Sequence, residues 1–331
     1  MNNTNEQLLR LPDAVTKVYV LHENPSWMPP YRAALAARGL PLEEWDLSQG
    51  HLDLDAEPPE GVFYSRMSAS AHTRGNPHAP EYALAVLSWL ESHGRRVVNG
   101  TRALDLELSK PRQYAALQTL GVRIPATRVA VGADAVRSAV QGMGYPCIVK
   151  PSRGGKGLGV VRIDDAAGLE AVLDAVLDAA PDGIVLVQAY IPSVDGSVIR
   201  NEFVDGRLLY SVRVVTGGGF KLCPAEACAL PGAAVQPAFD ILDGFRHPNH
   251  ALYEAFLRAN AVEIAGIEMI VDPVGVAWTY DVNTNTNYNP DAEAAAGFAG
   301  TERSGPGAVA ALLARELAQV AESRARKRAA A

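Results

Sequence analysis

Cysteine is scarce in this chain, with three among 331 residues. So few cannot form the disulfide framework of a small secreted domain. Cys147, Cys223 and Cys228 therefore read as buried, reduced thiols, and only Cys223 and Cys228 lie close enough in sequence for a bridge. Long apolar runs are also missing. No stretch approaches the about eighteen uninterrupted apolar residues of a membrane span, and the opening "MNNTNEQLLRLPDAV" lacks a basic segment followed by an apolar one. A cytoplasmic protein with no membrane partner is expected. Nor is positive charge in excess. Thirty Lys and Arg stand against 37 Asp and Glu, a net charge of -7 with both signs mixed throughout, so the overall field does not favour nucleic acid. There is no internal repeat and no low-complexity linker.

What the chain has is apolar residues, 48% of the total, enough for one large core or two to three linked ones. Their period alternates between two and three to four. "KVYVLHE", "LEEWDL" and "GVFYSR" read as strands, while "PPYRAALAARGL" and "APEYALAVLSWLESHG" read as helices stopped at Gly39 and Gly94. This alternation predicts a parallel sheet with flanking helices over residues 1–98, with ligand sites on the loops beyond its strand ends. One such loop, "YSRMSASAHTRG", offers Arg66, Ser68, Ser70, His72 and Arg74 to a carboxylate-bearing substrate, or simply caps the next helix. A second unit, 99–187, opens on two short helices. Its strands are Ala126 to Ala130, "PCIVKP", "VVRI" and "IVLVQAY", with helices "ADAVRSAVQGMG" and "DAAGLEAVLDAVLDAA" between them. The third, 188–331, has strands "SVIRNEFV" and "LLYSVRVV", a helix at "NHALYEAFLRAN", a hairpin, and an amphipathic last helix with a basic end.

Between "PCIVKP" and "VVRI" lies "RGGKGLG". No Ser or Thr follows its lysine, which excludes a Walker A loop, and the strand after it excludes a Rossmann fingerprint. Strand, glycine loop, strand makes a hairpin flap whose backbone N–H groups can close over phosphates; a tight turn is the plainer alternative. Lys150 at the end of the preceding strand, and Lys110 at a helix start, supply point charges suited to phosphate oxygens.

The hairpin "GIEMIVDPVGVAWTYDVNTNTNYNP" places Glu268, Asp281 and Asn283 in an apolar, strand-like stretch. A four-residue loop, Pro273 to Val276, pairs Asp272 with Ala277 and sets Glu268 opposite Asp281, with Asn283 on the same face. Opposed carboxylates at an effective dielectric near 20 repel by about 3 kcal/mol, so something positive belongs between them. Two acids and an amide are hard oxygen ligands, suited to Mg²⁺ shared with a polyphosphate and not to zinc. A solvated strand face is the alternative. Asp272, beside Pro273 and Gly275, reads as a turn residue.

Taken together, "SKPRQYAALQTLGVRIPAT", "YPCIVKPSRGGKGLGV", "VLVQAYI" and the acid, acid, asparagine set resemble the ATP-grasp superfamily, specifically ligases of the RimK and glutathione synthetase type. The resemblance runs from about Leu106 to Ala299. It implies an α/β and α+β fold, with a parallel-sheet pre-ATP-grasp domain ahead of a two-lobed ATP-grasp fold that holds nucleotide between its lobes. It implies nucleotide contacts at Lys110, Lys150, the flap residues Arg153, Gly154, Gly155, Lys156 and Gly157, the hinge residues Gln188, Ala189, Tyr190 and Ile191, and Asp195 for ribose. Glu268, Asp281 and Asn283 would hold two Mg²⁺, for which Mn²⁺ can substitute. The activity implied is ATP-dependent joining of a carboxylate to an amine through an acyl phosphate, with Arg200 and Arg213 stabilising charge on the moving phosphoryl group. Small-molecule carboxylates and amines, such as amino acids or small peptides, are the implied partners, and self-association is compatible with the sequence. Two departures stand out. Val198 replaces the acid of the family's Asp-Ile-Arg, and "DVNTNTNYNP" replaces its closing Asn, small residues, Pro and Gly, which changes the wall around Asn285 on the substrate side. A phosphotransferase, a ligase acting on a protein and a non-catalytic nucleotide-binding regulator stay open as alternatives.

Overall fold

A computed structural model describes residues 16–155, 157–215 and 238–330; Lys156, Cys223 and Cys228 lie outside them. Within the described residues the apolar runs become three separate sheets. The first contains β1 (Lys17–His22), β2 (Leu42–Asp46), β3 (Gly61–Ser65) and β4 (Arg96–Val98), in the order β2-β1-β3-β4 and all parallel. β3 is buried along its whole length, as an inner parallel strand covered on both faces must be. The crossover helices are α1 (Pro29–Ala37), with proline in its first turn, and α2 (Ala79–Ser92). Each stops just ahead of a glycine at positive φ, Gly39 and Gly94.

The next helices, α3 (Thr101–Glu107) and α4 (Lys110–Thr119), lead to the second sheet. That sheet has the order β5-β8-β6-β7, all antiparallel, built from β5 (Thr127–Val131), β6 (Cys147–Pro151), β7 (Val161–Ile163) and β8 (Ile184–Ala189). α5 (Ala133–Met143) and α6 (Ala166–Asp178) cover one face, and Asp165 caps α6 by accepting from Gly168 N at 2.7 Å. Cys147 is buried in this core as a free thiol. β6 and β7 flank the glycine loop as an antiparallel pair, so the expected flap is a hairpin.

The third sheet is also antiparallel, ordered β11-β10-β9-β12-β13. Its strands are β9 (Ser197–Val204), β10 (Arg207–Val215), β11 (Ala238–Leu242), β12 (Ala265–Val271) and β13 (Ala277–Asn283), with α7 (Asn249–Ala259) before β12. Tyr253, Phe256 and Leu257 of α7 pack one face together with Ala103 and Leu106 of α3 and Tyr114 and Leu117 of α4. α3 and α4 thus join the core of the third sheet although they precede the second in sequence. The short α8 (Pro290–Ala295) follows, and α9 (Gly305–Ala330) returns the chain to its beginning, where Val309, Leu312 and Leu313 share a core with Val18, Val20 and Tyr64. Among the described residues no helix is long and apolar enough to cross a membrane.

Candidate active site

A cleft of about 560 Å³ opens between the second and third sheets, bounded at one end by the loop after β3. Lys110 opens α4, where the partial positive charge of the helix N-terminus adds to its own. Its Nζ donates to Asp281 Oδ1 at 2.5 Å. Burial lowers the Lys110 pKa, but the Asp281 charge more than offsets this, and the group is held above its ordinary value. Lys150 lies in the fully buried β6 and donates to Tyr114 Oη and Gln188 Oε1, both at 2.9 Å. With no carboxylate bonded to it, burial and then the Lys110 charge push its pKa down to about 7. Gln188 passes the chain on by donating to Thr127 Oγ1 at 2.8 Å, and Ala189, Tyr190 and Ile191 continue along the cleft wall.

Glu268 and Asp281 face each other across the ladder, with Asn283 Nδ2 3.4 Å from Glu268 Oε1 and 3.5 Å from Asp281 Oδ2. Burial raises the Asp281 carboxyl, but Lys110 and then Lys150 outweigh it and hold the group below the usual carboxylate range. Arg200, 5% exposed, donates from Nη1 to Glu268 Oε1 and from Nε to Glu202 Oε1, both at 2.5 Å. Among the described residues no three His, Cys, Asp or Glu side chains converge on one point. A hard divalent cation would therefore take Glu268, Asp281 and Asn283 and complete its shell with water or phosphate oxygens, which is how Mg²⁺ is ordinarily bound beside a polyphosphate. The two carboxylates fit that ion as they stand, and Asn283 fits it with its amide turned so that Oδ1 in place of Nδ2 joins them.

Several expected residues stand elsewhere. Arg213 is exposed and pairs with Asp240 at 3.2 Å. An irregularity at Leu209 sets it opposite Ile199, whereas even counting from the turn at Asp205 and Gly206 would place it opposite Val198, on the face of Arg200. Gly154, Gly155 and Gly157 line the cleft, but Arg153 is drawn to Glu81 of α2 at 2.6 Å. Asp195 does not line the cleft, although Ser193, Gly196 and Ser197 beside it do, and its Oδ1 is engaged by Ser197 N, Ser197 Oγ and Ser193 Oγ. After β3, Ser68 and Ser70 reach the cleft while Arg66, His72 and Arg74 do not line it. Arg74 pairs with Glu23 and stacks on Trp27; His72 Nδ1 lies 3.2 Å from Ala69 O. Arg66 is buried behind Asn285, which does line the cleft.

Sequence reasoning missed Glu107. Its carboxylate accepts from Thr284 N at 2.7 Å, Thr284 Oγ1 at 3.1 Å and Ala69 N at 3.3 Å, fastening the loop after β3 to the loop after β13, and burial raises its pKa. The available signal was an acid inside the apolar "ALDLEL", the same kind that drew attention to Glu268.

The RimK-like ATP-grasp domain profile matches residues 108–223. D-alanine–D-alanine ligase of Gloeobacter violaceus is 30% identical over 225 residues, which span 64% of this chain and 71% of that protein. A probable alpha-L-glutamate ligase of Ectopseudomonas mendocina is 26% identical over 212 residues, 62% of this chain and 70% of its own. The ATP-grasp ligase PsnB, solved with a phosphomimetic variant of its minimal precursor, Mg and ADP, superposes with a TM-score of 0.63 at 18% identity, over 91% of this chain and 99% of that one.

Proposed function

Because this chain belongs to the RimK-like ATP-grasp carboxylate–amine ligases, enzymes that form C–N bonds, we propose that it joins a carboxylate to an amine at the expense of ATP, through an acyl phosphate. The observation that carries this reading is the convergence of Lys110, Lys150, Arg200 and the Glu268, Asp281, Asn283 set, from five different elements, on one cleft beneath a glycine flap. Adenine lies against the hinge at Ala189 to Ile191, and the phosphates run under Gly154, Gly155 and Gly157 toward the lysines.

In the first step a carboxylate oxygen attacks the γ-phosphorus and ADP departs. In the second the amine nitrogen attacks the acyl carbon, phosphate leaves and the nitrogen loses a proton. Lys110 and Lys150 neutralise phosphate oxygens, and the Arg200 guanidinium at the cleft wall steadies charge on the phosphoryl group in transit. Mg²⁺ bound at the acids would screen the triphosphate and polarise its oxygens. The names of the relatives point to amino acids or short peptides as reactants, and the precursor peptide with which PsnB was solved makes a longer peptide reactant the next choice.

The test is incubation of the purified chain with ATP, Mg²⁺ and a panel of amino acids and dipeptides, reading phosphate release and new amide mass together. Amide mass in step with phosphate supports the ligase. A stable phosphorylated product with no amide would replace it with a phosphotransferase.

A further inference from the structure

Arg66 is 1% exposed, and the partners it finds are neutral. Its Nη2 donates to Asn285 Oδ1 at 3.1 Å, Thr286 O at 3.3 Å and Asn287 Oδ1 at 2.8 Å, and its guanidinium lies 3.8 Å over the Tyr31 ring. A guanidinium donates hydrogen bonds and accepts none. Both asparagines must therefore turn their carbonyl oxygens toward Arg66 and their NH₂ groups away from it. For Asn285, a cleft-lining residue, that leaves a buried Nδ2 with no partner among the described residues. Its backbone N is also engaged, with Glu107 Oε2 at 3.4 Å, so the main chain at this residue is tied to α3 while Arg66 holds the amide oxygen. With a buried cation on its oxygen side, the amide is polarised so that its hydrogens suit an anionic oxygen.

We propose that Asn285 Nδ2 binds a carboxylate oxygen of the acyl-donor substrate, and that Arg66 is the positioning residue that keeps this donor turned away from the guanidinium. The inference rests on the ligase reading for the identity of the carboxylate as acyl donor. It moves the recognition of substrate charge from Arg66, which is walled off, to the amide that Arg66 orients.

Titration calorimetry on the full chain, with Mg-ADP present, tests it against amino acids and dipeptides, each as the free acid and as its fully amidated counterpart. At least one free acid should bind, and its amide at least tenfold more weakly. Asn285→Asp exchanges the donor for an acceptor that pairs with Arg66. It should weaken the acid at least tenfold, leave Mg-ADP within threefold, and melt above the wild type; a residue that served packing alone would not combine higher stability with lost carboxylate binding. Arg66→Gln, which can accept as well as donate and so releases the asparagine, should give a smaller loss, and should that variant fail to fold, the Asn285→Asp arm still decides. Equal binding of acid and amide, full acid binding by Asn285→Asp, or no acid bound by the wild type would each overturn the proposal. Loss of Mg-ADP binding would instead remove the ligase reading, and acid titrations without nucleotide would still judge this one.

Discussion

Glu268 and Asp281 stand opposite each other in the β12–β13 ladder, yet each has its own cation: Arg200 Nη1 lies 2.5 Å from Glu268 Oε1 and Lys110 Nζ lies 2.5 Å from Asp281 Oδ1. The two cations arrive from β9 and α4. The hairpin, the strand beside it and the helix above are thereby tied at one point, and the repulsion between the acids is offset by the protein itself. A divalent cation taking these carboxylates would free Lys110 to turn to a phosphate, so metal and polyphosphate should bind together better than either alone.

Asp281→Asn separates the two jobs of that carboxylate. Relief of repulsion with Glu268, whose Cβ is about 5 Å away in such a pair, would stabilise the fold. Loss of the ion pair to the half-buried Lys110 works against it, and at 2.5 Å the shorter contact wins. The variant should lose about 1–3 kcal/mol of stability without ligand, lose most of the gain in melting temperature that Mg-ATP gives the wild type, and turn over at least about 100-fold more slowly. Thermal melts with and without Mg-ATP, beside phosphate release, decide it; full turnover at low Mg²⁺ would end the metal assignment.

Lys150 predicts a pH dependence whose sign can be worked out. Its folded pKa is about 7, against about 10.4 in an unfolded chain. Between those values the unfolded chain carries a proton that the folded one lacks, so ligand-free stability should rise with pH across that window, by up to about 1.4 kcal/mol per unit from this group. A polyphosphate restores the charge, so nucleotide binding at pH 8–9 should take up a proton and weaken as pH climbs. Calorimetry in buffers of different ionisation enthalpy measures that uptake, and Lys150→Met should abolish it. Zero uptake in the wild type would mean that the lysine is already charged.

The opposition of Glu268 and Asp281 was legible in the sequence, by way of two displacements that cancel. The ladder closes at Val271 and Ala277, one residue earlier on β12 than the expected loop, and an irregularity at Tyr280 restores the register at the acids. Asp272 takes its expected turn role, accepting from Val274 N at 3.0 Å and Val276 N at 2.8 Å. Arg213 shows the opposite outcome, because nothing local announces the irregularity at Leu209 that carries it to the far face. What Arg153 and Glu107 bind was illegible for another reason. Their partners, Glu81 on one side and Thr284 on the other, are 72 and 177 positions away, and period and propensity report only on neighbours along the chain.

The flap makes a steric prediction. A Cβ added to Gly155 would lie 2.9 Å from Ser70 Cβ and 3.3 Å from Ser70 Oγ, so any side chain there pushes the flap off the loop after β3. Gly155→Val should raise the KM for ATP about tenfold, the worth of one or two phosphate contacts, with little change in melting temperature because the loop adds no core. Gly155→Val with Ser70→Gly should recover part of that loss. An unchanged KM in the folded single variant would return the loop to a turn without a ligand.

Arg200 carries the most exacting arrangement. Its Nε and Nη1 reach Glu202 and Glu268, its Nη2 donates to Thr286 Oγ1 at 2.6 Å, and Thr286 Oγ1 donates in turn to Glu202 Oε2 at 2.8 Å. A planar fork can serve three acceptors at once; a lysine ammonium keeps the charge but not the span. Space for the fork comes from Gly266, where a Cβ would fall 2.5 Å from Arg200 Nη2. Arg200→Lys should cost about 3 kcal/mol, one or two charged hydrogen bonds lost in a buried site, and reduce turnover at least about 100-fold, the scale of a lost electrostatic contact to a transition state. Gly266→Ala leaves every charge in place and displaces only the guanidinium, so it should move both quantities in the same direction by less. Chemical denaturation and phosphate release on the two variants separate position from charge. If Arg200→Lys kept half the wild-type turnover, charge alone would suffice and the fork would be structural; if Gly266→Ala matched the wild type in both measurements, the guanidinium would have room that this geometry denies it.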